Sequence, residues 1–421
     1  MSGLRATVPA IALAFALALA GCGATKQEES STPATSTSSE GTVAAGTTPS
    51  QATTGVVTTT PVQPQSEAVG AGAITAELSR PFSAASPWNM RVDRQPADPN
   101  SGRLISLARQ RKEVEYAGGA APRVRTRTIS SGLFINTRRW TDTIVDSAEG
   151  VPTSVVCRQQ IAYCGDGKDV TMLNIPADAA PLPQFDGWFT VIDRAAGVAY
   201  DLWRARRSVD RQVVSYQFMR KWSLNGLGFQ APDNVSARGS GLPLFAGVIL
   251  PSEVEAGRIE HALAISVPGP ARGWYVQPAS STDGVGSERS LPEGAHIRLR
   301  LGVHLGRLST GTNARGARAI LRALKTYGAI VVDRARVPTL YGQLNGNWQT
   351  RLRNRAGELI YGNGQRLPRA LQRRPGVGVP LLRGNEVQSL RLNDFEVIKL
   401  PPELSYPPLN APVGTTQPGA P

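Results

Sequence analysis

Two short runs, Trp188-Phe-Thr-Val-Ile-Asp193 and Val198-Ala-Tyr-Asp-Leu-Trp203, are rich in β-branched and aromatic residues and flank the turn candidate Arg194-Ala-Ala-Gly197. That arrangement predicts a β-hairpin. Similar patterning predicts strands over 212–222, 261–267, 273–277, 296–301, 330–333 and 395–400. Helical signals are fewer. One short helix is predicted near Leu104–Arg111, and a second opens at Ser252-Glu-Val-Glu255 with capping-box spacing and stops at Gly257. The third runs from about Asn313 to Tyr327, with Ala317, Ile320, Leu321 and Leu324 on one face and Arg315, Arg318, Arg322 and Lys325 opposite, and ends at Gly328. No regular βαβα alternation is present, which argues against a doubly wound nucleotide fold. The expected class is mainly β, a β-sandwich or jelly-roll-like body with two or three short helices.

The two ends follow a different pattern. After Arg5, an apolar run from Val8 to Ala20 would span roughly 20 Å as a helix, short for a bilayer and suited to a signal-peptide h-region. It leads into Leu19-Ala-Gly-Cys22, which resembles the lipobox of bacterial lipoproteins. The resemblance implies that Cys22 is diacylated after cleavage and holds the chain on the extracytoplasmic face of the cell membrane. Acyl anchors of this kind are stable when two or more chains insert. From Cys22 to Ser79 the chain is dominated by Thr, Ser, Ala, Gly, Pro, Gln and Val. No aromatic residue occurs between Phe15 and Phe82. Such a segment buries too little apolar surface to offset its ordering entropy and is expected to be a disordered tether with a reach of about 40 Å. The expected organisation is therefore a signal peptide (1–21), a tether (22–79), a folded body (80–400) and a Pro-rich tail (401–421).

This division relocates the charge. The 421 residues carry 46 Lys+Arg against 32 Asp+Glu, a net +14. Arg5 supplies one positive charge to the signal and the tether is net −4, which leaves +17 from Arg80 onward. A basic domain concentrates anionic ligands within a Debye length of ~8 Å. For a protein held outside the membrane those ligands are expected to be envelope or extracellular polysaccharides, not nucleic acid. With Cys22 lipidated, Cys157 and Cys164 remain as an even pair, and a small disulfide-closed loop is expected.

Familiar catalytic signatures are absent: there is no G-x-S-x-G, no H-E-x-x-H, no Walker A motif and no S-x-x-K. Three scattered cysteines and three histidines give no zinc-cluster spacing, and neither a metal site nor a cofactor is expected. The densest polar constellation is Arg258, Glu260 and His261 at the head of a strand, with Asp283 beyond it and Asp201 and Trp203 on the hairpin. Asp201 and Trp203, two apart on a strand, would share a face and could form a sugar platform. His261 could act as a general base near neutral pH, whereas His296 and His304 lie on or beside an Arg-rich strand.

The strings Ser240-Gly-Leu-Pro-Leu, Glu253-Val-x-x-Gly257-x-Ile-x-His261-Ala-Leu, Pro292-x-Gly294-Ala, Ile320-Leu-Arg-Ala-Leu-Lys-Thr-Tyr-Gly328 and Asp394-Phe-Glu-Val397 occur in this order. In this the chain resembles an uncharacterised group of secreted bacterial β-rich proteins. The resemblance implies a shared secreted domain and assigns no activity. Where that group commonly carries a histidine after a Pro-Ala pair, this chain reads Gln277-Pro-Ala-Ser-Ser.

The leading expectation is a lipid-anchored protein whose basic domain binds an anionic glycan or cell-wall polymer. Two enzyme alternatives remain open. A glycosidase would pair carboxylates among Asp201, Glu260 and Asp283; a uronate lyase would use His261 or Tyr200 as base, with Arg258 or Arg238 on the sugar carboxylate. A structural or partner-binding envelope lipoprotein is a further alternative, and a two-lobed solute-binding protein is disfavoured by the shortage of helices.

Overall fold

The computed structural model describes residues 80–115, 123–304, 314–344, 352–353, 359–361 and 382–406. Cys22, the signal, the tether and the end of the tail lie outside the described residues.

The chain is mainly β, with three α-helices among the described residues: α1 (Ser101–Ala108), α2 (Pro251–Ala256) and α3 (Ala314–Thr326). A mixed six-stranded sheet joins β3 (Phe134–Asn136), β12 (Leu263–Val267), β14 (His296–Leu299), β15 (Ala329–Arg334), β16 (Thr339–Tyr341) and β19 (Phe395–Val397) in the order β19-β14-β15-β12-β16-β3. A four-stranded sheet runs β11-β8-β7-β4, from β4 (Thr143–Asp146), β7 (Phe189–Asp193), β8 (Val198–Trp203) and β11 (Phe218–Ser223). Another runs β6-β5-β10-β9, from β5 (Val151–Cys157), β6 (Met172–Ile175), β9 (Arg206–Arg207) and β10 (Val213–Tyr216). Three two-stranded ribbons complete the set: β1 (Gln110–Glu115) with β2 (Arg123–Thr128), β13 (Trp274–Val276) with β20 (Glu403–Ser405), and β17 (Leu352–Arg353) with β18 (Leu359–Tyr361).

Period-two alternation sets the layers. Leu263, Ile265 and Val267 of β12, with Ala329 and Val331 of β15, join one core with the apolar face of α3. Ala264, Ile330 and Val332 face the other way, against Ile144, Ile192, Ala199 and Trp222 of the β4–β11 sheet. The opposite face of that sheet presents Phe189, Val191, Leu202 and Met219 to Val155, Val214 and Tyr216 of the third sheet. The order is thus helix, mixed sheet, sheet, sheet. Burying Ile320, Leu321 and Leu324 contributes roughly 1.5–3 kcal/mol each, so the apolar face holds α3 to the sheet. The basic face is itself used: Arg315 and Arg322 donate to the carbonyls of Ala256 and Gly257 at the end of α2.

The 188–203 hairpin forms with Phe189 opposite Leu202. Gly257 and Gly328 end their helices in the left-handed region, at φ 71° and 70°. Two expectations are corrected. The single strand expected over 212–222 divides at Gln217 into β10 and β11, which belong to different sheets. The helix expected over 104–111 ends at Ala108, because from Gln110 the backbone pairs with β2. Cys157 and Cys164 form the expected disulfide.

His296, on β14, donates from Nε2 to the Tyr327 carbonyl, 2.6 Å away, at the end of α3. Burial pushes its pKa down to about 4. The unfolded chain protonates this ring near pH 6.5 while the folded chain resists until about 4, so the fold loses stability as pH falls between those values, by about 3 kcal/mol from this group. Imidazole NMR should place the His296 midpoint near 4; a midpoint above 6 would contradict the buried neutral ring.

Candidate functional site

β12 and β15 run parallel, and a register shift after Ile265 sets Ser266 opposite Asp333 near their carboxyl ends. In β15 the apolar run Ala329–Val332 stops at Asp333-Arg334, so charge appears where the strand leaves the core. Two loops bring further acids to the same place. Glu293 precedes Gly294, whose φ of 85° and tight fit, an added Cβ lying 1.7 Å from the Val276 carbonyl oxygen, permit only glycine. The Val276 amide donates to the Glu293 carbonyl at 2.9 Å and fixes the turn. Asp283 follows a serine-rich loop held by Ser280 N to Ser240 O at 2.9 Å and Ser281 Oγ to Gly239 O at 2.8 Å. Gly239 lets Asp283 approach, because a Cβ there would lie 2.2 Å from Asp283 Oδ1.

One carboxylate oxygen from each of Asp283, Glu293 and Asp333 lies within 4.8 Å of the others. Burial, then the nearby Asp283 and Asp333 charges, raises the Glu293 pKa well above the usual carboxylate range. Burial and Asp283 push Asp333 up to about 8 against the pull of Arg238 and Arg334. Arg334 Nε reaches Asp283 Oδ2 at 3.0 Å. All-oxygen donors of this kind suit hard divalent cations and not zinc or copper.

Behind this trio lies a second buried polar group. Arg238, 1% exposed, donates to the carbonyls of Ala246 at 3.2 Å and Leu244 at 2.7 Å and lies over the rings of Trp188 and Tyr341. Tyr341 and Ser266 share a hydroxyl hydrogen bond. Thr190 Oγ1 lies 2.6 Å from Asp142 Oδ2 and 2.7 Å from Asp201 Oδ1. A hydroxyl has one proton, so it donates to one carboxylate and accepts from the other, which must be protonated. Asp142 is that acid: burial and the Asp201 charge raise its pKa well above normal. Burial pushes Asp201 only to about 6, because the Leu244 amide, Thr190 and Trp222 Nε1 donate to it.

These positions revise most of the sequence candidates. Asp201 is fully buried with its oxygens occupied, and Trp203 is half-buried with Arg204 stacked on its ring at 4.5 Å, so the pair is no open sugar platform. His261 Nδ1 faces the Ala262 carbonyl at 2.9 Å and Nε2 faces Glu253 Oε1 at 3.0 Å. Both partners are acceptors, so both nitrogens donate and no lone pair is left for a general base. Burial opposes that charge, but Glu253 outweighs it and raises the pKa. The adjoining cavity is about 10 Å³, room for one water. Glu260 pairs with Arg258 at 3.6 Å on the surface, an interaction worth little. Asp201, Glu260 and Asp283 are engaged in different groups: Asp201 with Thr190, Glu260 with Arg258, and Asp283 with Arg334. Arg238 is engaged with backbone carbonyls, and Tyr200 packs beneath Lys221. Of the candidates, Asp283 joins the acidic trio and Asp201 the buried group around Thr190. Glu293 and Asp333 were missed; the cue available was an acid between Pro292 and the obligatory Gly294, and another ending an apolar strand.

An open polar groove lies elsewhere. Gln110, Lys112 and Thr126 share one face of the β1–β2 ribbon, where Lys112 and Thr126 are paired across the strands. With Arg272 and the segment Gly286-Ser-Glu-Arg289 they line a polar groove of about 400 Å³. The ribbon lies close against Gly269, where an added Cβ would be 2.0 Å from the Gln110 carbonyl oxygen. Arg272 pairs with Glu288 at 2.7 Å, while Lys112 and Arg289 have no ion pair among the described residues. On the other face Glu113 is held by Arg111 and Arg127. The groove is thus net positive.

Compared with known protein families, curated proteins and solved structures, the chain matches none.

The shared Thr190 hydroxyl makes the two aspartates unequal. Asp142→Asn keeps a donor toward Thr190 and should cost under about 1 kcal/mol, whereas Asp201→Ala strands buried donors and should cost about 3 kcal/mol or more in urea unfolding. Equal costs would contradict the assignment.

Proposed function

We propose that this protein is a lipid-anchored lipoprotein of the extracytoplasmic face of the cell membrane whose basic domain binds an anionic polysaccharide of the envelope or its surroundings. The observation that carries the reading is the polar groove between the β1–β2 ribbon and 286–289, with Lys112, Arg272 and Arg289 at its wall.

A groove of this kind suits a hydrated, charged chain. Cations answer carboxylate or phosphate groups along the polymer, and Gln110, Thr126 and Ser287 offer hydrogen bonds to hydroxyls. Arg123, Arg125 and Arg127 of the exposed β2 strand lie on the opposite face of the ribbon, with Arg127 near Glu113, so the positive charge of the groove itself comes from Lys112, Arg272 and Arg289. Rim charges of this type act through encounter and specificity as much as through affinity. Attachment through Cys22 would confine the domain near the membrane, with the tether setting the distance it can search.

Purified protein should bind polygalacturonate or teichoic acid with an affinity that falls as salt rises, and should bind neutral glucan far more weakly. Replacing both Lys112 and Arg289 by Glu should weaken binding by roughly 10- to 100-fold without lowering the melting temperature, taking about 1 kcal/mol for each reversed charge. Unchanged affinity in the double variant would place binding elsewhere. In cells, metabolic labelling with a fatty acid should mark the wild type and not Cys22→Ser, which should leave the membrane fraction. Membrane retention of unlabelled Cys22→Ser would contradict the anchor.

A further inference from the structure

We propose that Asp283, Glu293 and Asp333 form a binding site for one hard divalent cation, with calcium as the preferred ion. The inference concerns a site apart from the glycan groove and stands independently of the glycan reading.

The three carboxylates converge: an oxygen from each lies within 4.8 Å of the other two, a spread that one ion can span at the 2.3–2.6 Å usual for calcium–oxygen bonds. Each acid is held in place by an N–H group on one of its oxygens. Arg334 Nε binds Asp283 Oδ2 at 3.0 Å, the Asp283 amide binds Glu293 Oε2 at 3.3 Å, and the Arg334 amide binds Asp333 Oδ1 at 2.8 Å. Positions of the ligands are therefore set by the fold before any ion arrives.

A separate observation points to the missing partner. Glu293 is fully buried, at 0% exposure, and faces the other two acids, yet its Oε1 meets no hydrogen-bond donor; the same holds for Asp283 Oδ1. A buried acceptor left unsatisfied is costly. Neither neighbouring arginine repairs it. Arg334 spends its Nε on the other oxygen of Asp283, and the terminal nitrogens of Arg238 donate to Leu244 and Ala246. Once the incoming ion displaces the protons that the raised Glu293 and Asp333 hold, three carboxylates less the paired Arg334 leave two negative charges, the complement of one divalent ion, while Arg238 moderates the field from the Asp333 side. Asp283 and Asp333 are partly exposed above the buried Glu293, so an ion has a way in and water can complete its shell. An irregular all-carboxylate set suits calcium better than magnesium, which demands near-ideal octahedral geometry.

The test is calorimetric titration of the full-length purified protein, stripped with a chelator, with CaCl2, MgCl2 and MnCl2. Calcium should bind saturably at one ion per chain, at least ~10-fold more weakly to Glu293→Gln and with unchanged affinity to Glu260→Gln, which alters only a surface ion pair. If Glu293→Gln does not fold, wild-type terbium luminescence decides, excited through Tyr341 and reversed by calcium. No saturable binding by folded wild type up to roughly 10 mM calcium overturns the proposal. So does wild-type affinity in folded Glu293→Gln, tighter binding of magnesium than calcium, or terbium emission that calcium cannot displace.

Discussion

Burying ionisable groups in a β-rich core is the constraint on which this structure turns. Arg238 lies within the layer between the mixed sheet and its four-stranded neighbour, and its charge is felt by Asp142, Asp201 and Asp333. A guanidinium in such a place must satisfy its donors or cost several kcal/mol. The chain meets this in part by turning the backbone between Leu244 and Ala246 so that two carbonyls receive the terminal nitrogens, with the guanidinium lying over the Trp188 and Tyr341 rings and its Nε left unpaired. The same layer must then hold Asp201, which caps the Leu244 amide and ties that turn back to the hairpin. A shared proton at Asp142 keeps the second carboxylate from opposing the first.

This arrangement separates interior charge, which specifies the fold, from surface charge, which is available to ligands. The arginines of α3 are partly spent on the carbonyls that end α2, and Arg334 is spent on Asp283. In the groove, Arg272 pairs with Glu288, whereas Lys112 and Arg289 have no ion pair among the described residues. Net charge by itself does not distinguish these roles; hydrogen-bond partners do. The segment 283–289 joins the two kinds of environment, since it begins at the buried trio and ends on the groove wall.

Elements governed by local pattern were legible in the sequence. The 188–203 hairpin, the apolar stripe of α3 and the glycine ends of α2 and α3 each follow from spacing within a dozen residues or so. Elements governed by distant partners were not. Residues 212–222 read as one strand because nothing local marks Gln217 as the point where the chain changes sheets. Arg109–Arg111 read as the end of a helix because the competing pairing with 123–128 lies beyond a local window. The site was obscured for the same reason. His261 and Asp201 have chemically suggestive side chains, and only the fold shows their partners to be Glu253, Thr190, Trp222 and the Leu244 amide. Glu293 and Asp333 come from unrelated segments forty residues apart, joined by a turn at Gly294 and by the bulged pairing of β12 with β15.

We propose that the charge lining the groove between the ribbon and its neighbouring loop is the ligand surface, while the buried charge is architecture. Hydrogen–deuterium exchange with and without a saturating oligogalacturonate tests it most directly. The account predicts slowed exchange confined to peptides covering 110–113, 125–128 and 286–289, with the hairpin around Asp201 and the segment around His261 unchanged. Protection centred on Asp201 or His261, with the groove unaffected, would contradict it.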